Sequence, residues 1–147
     1  MEAVLFIGLQ ASGKSTFYKE RFFVTHLRLS LDMLRTRHRL NVLLQACIQT
    51  QQRFVVDNTN LEVSERALYI QQAKAAQFKI TGYFFEPDIQ RSLLWNSQRT
   101  GKERVPDLAI LGSIKRLERP TGNEGFDTIY TVTLTTNGQF EVVERLT

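Results

Sequence analysis

The segment that most limits the fold is residues 8–15, GLQASGKS, which lies between the apolar run VLFI and the sequence TFYKERFF. It matches G-x-x-x-x-G-K-[ST], the Walker A pattern, in which glycines let backbone N–H groups approach phosphate oxygens closely. A phosphate-binding loop of this type follows a buried strand and leads into a helix. The N-terminus of that helix adds positive charge beside the phosphates. Residues 3–7 fit the strand, and a helix is predicted from about Gly13. The segment therefore predicts a strand–loop–helix unit that binds a nucleoside triphosphate.

Two side chains of this loop have distinct expected roles. Lys14 should reach the β- and γ-phosphates, and the Ser15 hydroxyl should ligate Mg²⁺. The other residues predicted to contact the triphosphate are Gly8, Leu9, Gln10, Ala11, Ser12, Gly13 and Thr16.

The rest of the chain alternates apolar runs with helical patterns. Leu40, Leu43, Leu44, Cys47 and Ile48 have the spacing of an amphipathic helix. Strands are predicted at 27–30, 53–57 and 78–85, helices at 63–77, 88–99 and from 105, and a hairpin at 128–135 and 139–145 around Asn137-Gly138. The order predicts an α/β fold with a mostly parallel sheet, helices on both faces, and a C-terminal antiparallel hairpin.

Length and composition narrow the class of protein. A chain of 147 residues suits one domain, 1–147, and its 42% hydrophobic and 23% charged content is typical of a globular protein. A single cysteine excludes an internal disulfide and favours a reducing, cytoplasmic compartment. The sequence contains no apolar run long enough to span a membrane and gives no sign of an oligomeric state. The net charge of +4 is compatible with a phosphate-rich partner.

Carboxylates follow two of the predicted strands. Asp32 and Arg35, in SLDMLR, share a face of a helical turn, so that the carboxylate can accept a proton and the arginine can bind a phosphate. Asp57 ends the apolar strand VVD, as in a Walker B element that holds Mg²⁺. The alternatives are a solvated ion pair for Asp32 and Arg35, and a helix cap or turn for Asp57.

Basic residues occur in three further places. The connection RTGKER carries Arg99, Lys102 and Arg104 and is either a mobile loop that neutralises a transferring phosphoryl group or a solvated basic turn. The run RTRHR at 35–39 is a possible track for a phosphate backbone, which Lys115, Arg116 and Arg119 would extend. The helix from 105 should bury Ile110, Leu111, Ile114 and Leu117.

The blocks GLQASGKST, SLDMLR, VVDNTN with SERALYIQQAKAA, and NSQRTGKERVP, in this order, resemble the P-loop kinase domain of 5′-hydroxyl polynucleotide kinases. ERPTGNEGFDTIYTV is similar to the end of that domain in polynucleotide kinase-phosphatases. The resemblance spans nearly the whole chain and implies a three-layer P-loop NTPase sandwich of the kinase type. It also implies an ATP-dependent kinase with ATP and Mg²⁺ as cofactors and the 5′-hydroxyl of DNA or RNA as acceptor.

The resemblance also implies roles for individual residues. Lys14, Asp32 and Arg99 would be catalytic, with Asp32 as the general base and Arg99 as the lid arginine on the ATP phosphates. Arg104 would assist Arg99 at the ATP. The acceptor would be bound by Arg35, Asp57 and Asn60, and the metal ligands would be Ser15 and Asp57.

The chain departs from the family pattern at two points. About 25 residues separate Asp32 from Asp57, fewer than is usual in the family, which implies a smaller or more open acceptor pocket. Trp95 stands where an arginine is common; it either packs its helix or stacks on a base. Two other functions are open to this scaffold: a kinase that acts on a small molecule, and a nucleotide-binding module without transfer activity.

Overall fold

A computed structural model describes residues 1–145 and contains one six-stranded sheet flanked by helices. The strands are β1 (Glu2–Ile7), β2 (Leu27–Leu29), β3 (Phe54–Val56), β4 (Lys79–Phe85), β5 (Thr128–Leu134) and β6 (Phe140–Arg145). The helices are α1 (Lys14–Arg21), α2 (Leu31–Leu34), α3 (Arg37–Thr50), α4 (Val63–Ala75), α5 (Ile89–Gln98) and α6 (Asp107–Arg116). Short 3-10 turns occupy Gly101–Glu103 and Gly122–Glu124.

The strand order in the sheet is β2-β3-β1-β4-β5-β6. The first five strands in this order are parallel, and β6 pairs antiparallel with β5 at one edge. The predicted α/β fold with a mostly parallel sheet and a C-terminal antiparallel hairpin is therefore confirmed. In the hairpin, Gly138 has a φ of +77° and its N–H donates to the carbonyl of Thr135 over 3.0 Å, so glycine supplies the left-handed step of the turn.

The core lies on both faces of the sheet, since alternate residues of a strand point to opposite sides. Ala3, Leu5 and Ile7 pack into a core cluster that includes residues of α3 and α4. Val4 and Phe6 pack into a second cluster beneath α1. Both sides of β1 are thus covered, which explains why its sequence is apolar without alternation.

One element differs from its prediction. In α6, Ile110 is fully buried but Leu111 is 37% exposed, so the inclusion of Leu111 in the buried face is wrong. This helix contacts α5 on one side and turns Leu111 toward solvent. The predicted apolar stripe is therefore wider than the buried face. Every helix in the part of the chain described by the structure is too short or too polar to span a bilayer.

Candidate functional site

The phosphate loop leads from the end of β1 into α1, as its sequence predicts. Gly13 lies at the N-terminus of α1 with a φ of +94°, a conformation that side chains disfavour. A Cβ atom on Gly13 would lie 3.1 Å from the ring of Phe140, and one on Gly8 would lie 2.8 Å from Cβ of Phe85. Both glycines are therefore required by close packing, and Gly13 also by its backbone conformation.

Lys14 reaches back over the loop that precedes it. Its Nζ donates to the carbonyls of Leu9, at 2.6 Å, and Gly8, at 3.1 Å. Burial lowers the pKa of Lys14 to about 8; the charges of Asp57 and Asp32 act in the opposite direction, and that of Arg99 adds to the lowering. The charges that act on the Lys14 ammonium thus come from three separate parts of the chain: the segment after β3, helix α2 and the segment after α5.

Ser15 and Asp57, the predicted metal ligands, are in contact. The Ser15 hydroxyl donates to Oδ2 of Asp57 over 3.2 Å, and Asp57 is only 4% exposed. Hydroxyl and carboxylate oxygens suit Mg²⁺, which usually adds substrate phosphates and water to a few protein ligands. Within residues 1–145 no cluster of three or more acidic, histidine or cysteine side chains forms a metal cage. The pair therefore fits a metal that is shared with bound phosphates.

Arg28 of β2 is a site residue that the sequence reasoning missed. Its Nε donates to Oδ2 of Asp57 over 2.7 Å, and its NH2 group donates to the Ser15 hydroxyl over 3.0 Å. A charged residue in the middle of the strand LRL, between two leucines, is the signal that could have found it, because such a charge needs a partner.

Asp32 lies on the short helix α2, directly after β2. The N-terminus of this helix is held by Asn58, whose Oδ1 accepts the Leu31 N–H over 3.0 Å. The Asp32 side chain is exposed, and within residues 1–145 it forms no ion pair with Arg35 or any other residue. The alternative of an Asp32–Arg35 ion pair is thus not observed. Arg35 ends α2 with a φ of +75° and is exposed as well.

Asn60, predicted to contact the acceptor, is buried instead. It is 2% exposed, and its Nδ2 donates to the carbonyls of Phe6, at 2.7 Å, and Val56, at 3.4 Å. The neighbouring carbonyl of Thr59 accepts the N–H of Gly8 over 3.0 Å. This segment braces the phosphate loop, so we do not include Asn60 among the acceptor contacts proposed below.

The connection between α5 and α6 carries the predicted lid arginines. Asn96, fully buried, donates to the carbonyl of Val105 over 2.6 Å and accepts the Val105 N–H over 3.0 Å, which closes the connection at its base. Arg99 is partly buried and Arg104 is exposed. Sequence reasoning missed Asn96, which fixes where the connection starts and ends.

Both helices of this connection are joined to the phosphate loop. The Ser92 hydroxyl of α5 donates to the carbonyl of Ala11 over 3.1 Å, and Nε2 of Gln10 donates to the Ser113 hydroxyl of α6 over 3.0 Å. The connection that carries Arg99 and Arg104 therefore runs between two helices that are both hydrogen-bonded to the phosphate loop.

A cavity of about 590 Å³ opens beside Gly13 and Thr16. Trp95 and Phe140 form part of its wall, and the guanidinium of Arg91 lies 5.7 Å from the centre of the Trp95 ring. Trp95 thus faces the cavity as well as its own helix. An aromatic wall adjoining a phosphate loop suits a nucleobase, since flat rings stack on such surfaces.

The basic surface is smaller than predicted. Arg35, Arg37, His38 and Arg39 are exposed. By contrast, Arg116 pairs with Glu62 at 2.8 Å and with Glu65 at 2.9 Å, and Arg119 pairs with Glu86 at 2.7 Å. Two of the three residues expected to extend the basic track are thus neutralised by carboxylates.

Fold and loop together define a P-loop protein of the kinase-like type. Residues 25–120 match a family model described as an AAA domain, and the chain belongs to this family. It is also similar to a bifunctional polynucleotide phosphatase/kinase of Schizosaccharomyces pombe, with 24% identity over 132 residues. That match covers 87% of this chain and 32% of the relative, so the chain spans about a third of the length of the relative.

Solved structures show the same fold at low sequence identity. Kti12 of Chaetomium thermophilum, in complex with ADP-AlF3, has a TM-score of 0.67 and 15% identity, with 89% of this chain and 88% of that chain covered. A gluconokinase from Sinorhizobium meliloti has a TM-score of 0.63 and 17% identity, with 90% and 82% covered. At these identities the similarity supports the fold alone.

Proposed function

We propose that the chain is an ATP-dependent phosphotransferase and that the 5′-hydroxyl of a polynucleotide is its acceptor. The observation that carries the proposal is the arrangement at the phosphate loop: Lys14 reaches back over the loop, and Ser15 contacts Asp57. The charges of Asp32 and Arg99 also act on the Lys14 ammonium.

The donor side follows from the loop and the cavity. The triphosphate would lie along residues 8–16, with its phosphates on the backbone N–H groups and on Lys14, and with the base in the cavity beside Trp95. Ser15 and Asp57 would hold Mg²⁺, which when bound screens the negative charge of the β- and γ-phosphates. Arg99, and Arg104 with it, would neutralise charge on the transferring group.

The transfer step uses Asp32 as general base. The acceptor hydroxyl oxygen bonds to the γ-phosphorus while the bond from that phosphorus to the β–γ bridging oxygen breaks, which leaves ADP. The hydroxyl proton passes to the carboxylate of Asp32. Because Asn58 holds the N-terminus of α2, the carboxylate is presented on a fixed turn. Lys14 and Arg99 stabilise the charge that accumulates on the phosphoryl oxygens.

Three observations support a polynucleotide acceptor. Arg35 lies exposed at the end of the helix that carries Asp32, and it would bind the phosphate next to the reacting 5′-hydroxyl. Arg37, His38 and Arg39 continue an exposed basic surface from the same place. The similarity to the polynucleotide phosphatase/kinase covers 87% of the chain.

A small-molecule kinase is the second candidate. It is favoured by the ion pairs of Arg116 and Arg119, which limit the basic surface to the neighbourhood of α2 and the start of α3. A small-molecule acceptor would not need a basic surface that extends beyond this region.

The test is transfer of label from γ-labelled ATP, with Mg²⁺, to 5′-hydroxyl DNA, 5′-hydroxyl RNA, nucleosides and sugars. We expect transfer to an oligonucleotide and a steep decline of its affinity with salt, because phosphate contacts release counterions. Label on a small molecule alone would support the second candidate, and label on no acceptor would refute a transferase.

Asp32→Asn provides the matched test of the general base. We expect transfer to fall by about 10²–10⁴-fold while ATP binding is retained. Glu20→Gln, which removes an exposed carboxylate on α1, is the control and should transfer at the normal rate. Full activity of Asp32→Asn would disprove the assignment of the base.

A further inference from the structure

The contact between Arg28 and the two metal ligands has a role that the proposed transfer does not explain. Arg28 lies on β2, where it is opposite Val55, and its side chain is 19% exposed. Its neighbour Leu29 packs into the core cluster that includes α3, so alternation along the strand turns Arg28 to the other face, toward α1. There it meets Ser15 and Asp57.

The guanidinium uses the oxygen atoms that a metal would need. Oδ2 of Asp57 already accepts two hydrogen bonds, from Nε of Arg28 at 2.7 Å and from the Ser15 hydroxyl at 3.2 Å. The Ser15 oxygen in turn accepts from the NH2 group of Arg28 at 3.0 Å. A divalent cation on the Ser15 hydroxyl and on Oδ2 of Asp57 would need the lone pairs that these bonds use. On the other carboxylate oxygen it would still be repelled by the positive charge of the nearby guanidinium.

The charges lead to the same conclusion. Asp57 is 4% exposed, and its one ion pair in the described chain is with Arg28. A buried carboxylate without a partner is strongly unfavourable, so Arg28 neutralises Asp57 for as long as the metal is absent. Once a divalent cation is present, Asp57 has a stronger partner and Arg28 becomes a competitor.

We infer that Arg28 is a resident cation at the Ser15–Asp57 pair and that a divalent cation must displace it in order to bind there. Arg28 thereby sets the metal concentration that the site requires. The inference builds on the proposed nucleotide site, but it concerns only the metal ligands and can be tested without nucleotide.

The test compares the full chain with Arg28→Gln and with Arg53→Gln, which removes an exposed arginine just before β3. Binding of Mn²⁺ is followed by its electron paramagnetic resonance signal, first alone and then with ATP. We expect the half-saturating Mn²⁺ concentration to fall by at least about tenfold in Arg28→Gln and to stay unchanged in Arg53→Gln. An unchanged or higher value in Arg28→Gln overturns the inference.

Thermal unfolding provides an independent measurement. Without metal, Arg28→Gln should have a lower Tm than the parent chain because Asp57 is left unpaired, and added Mn²⁺ should raise its Tm by more than that of the parent or of Arg53→Gln. A purely structural ion pair predicts a lower Tm that Mn²⁺ does not raise, which would refute the displacement.

Two further comparisons keep the outcomes distinct. If Arg28→Gln does not fold, Arg28→Lys keeps the charge but cannot bond to both ligands as a fork, so it should bind Mn²⁺ more tightly than the parent; equal binding overturns the inference. If no protein binds ATP while the Mn²⁺ results hold, the proposed function fails and the role of Arg28 stands.

Discussion

Lys14 makes a quantitative prediction about nucleotide binding: the chain should take up a proton when ATP binds in mildly alkaline solution. Burial lowers the pKa of Lys14 to about 8, from an ordinary value of 10.5. The oxygens of a bound triphosphate would surround the ammonium with negative charge and raise its pKa again. A Lys14 that is neutral in the free protein must therefore be protonated in the complex.

The same shift affects stability, with a sign that can be worked out. A lowering of about 2.5 pKa units corresponds to roughly 3 kcal/mol against the folded state while Lys14 is charged in both states. This cost is fully present below about pH 8. It is relieved as pH rises from about 8 to 10.5, since only the folded chain then loses the proton.

The assay is calorimetric titration with ATP in pairs of buffers that differ in ionisation enthalpy, which gives the number of protons taken up. EDTA removes divalent cations, so that only protein side chains neutralise the triphosphate. At about pH 8, half of the free sites are unprotonated, so uptake of about half a proton per ATP is expected. Uptake should approach one proton by about pH 9.5, and affinity should fall by roughly tenfold per pH unit in this range.

Two variants test whether Lys14 is the group that takes up the proton. Lys14→Arg keeps a charge that does not titrate, so any ATP binding that it retains should take up no proton. Lys19→Met, which alters an exposed lysine of α1, should behave like the parent chain. Equal uptake by Lys14→Arg and the parent, or no uptake by the parent at about pH 9.5, would refute the reasoning.

Three further predictions concern the surroundings of the loop. Trp95→Ala should weaken ATP binding by about fivefold, through the loss of stacking, and leave tripolyphosphate binding unchanged in calorimetry. Asn96→Ala should destabilise the chain by about 1–3 kcal/mol in urea unfolding and speed proteolysis within residues 99–104, because both of its bonds to Val105 are lost. Arg66 of α4 is fully buried, pairs with Glu124 at 2.7 Å and donates to the carbonyl of Asn60, in the segment that braces the loop. In urea unfolding, Arg66→Met should destabilise the chain by about 3–5 kcal/mol because it leaves Glu124 buried without its partner, and adding Glu124→Gln should recover part of the loss.

The sheet could be predicted because buried parallel strands leave a strong trace in a sequence. The strands were expected close to where they occur: the parallel ones mainly as apolar runs bounded by turns, and β6 from the Asn137-Gly138 hairpin signal. The ends of the helices were harder to predict from the sequence than the strands. The chain breaks between α2 and α3 at Arg35, where φ is +75°, and α3 begins after Thr36, whose hydroxyl accepts the Arg39 N–H over 3.2 Å. A left-handed arginine gives no warning in a sequence, since glycine or asparagine is the usual residue there.

The site was predictable where its residues are consecutive and less so where they are brought together by the fold. The phosphate loop, Asp32 and Asp57 are proposed as site residues from local motifs. Arg28 was not, because its partner Asp57 lies 29 residues away and the contact depends on β2 pairing with β3. Asn60 shows the opposite difficulty: its polar, turn-rich setting resembles that of a binding residue, yet in the structure its side-chain amide donates to two backbone carbonyls.

The contacts of the lid with the phosphate loop limit how the proposed site can close. Ser92 of α5 donates a hydrogen bond to the carbonyl of Ala11, and Gln10 donates one to Ser113 of α6. Asn96 of α5 donates to the carbonyl of Val105, just before α6. A rigid swing of α5 or α6 would break these buried hydrogen bonds, and leaving such groups unpaired is costly. Movement is therefore expected in residues 99–104, whose two arginines, Arg99 and Arg104, can approach the γ-phosphate while both helices stay in place.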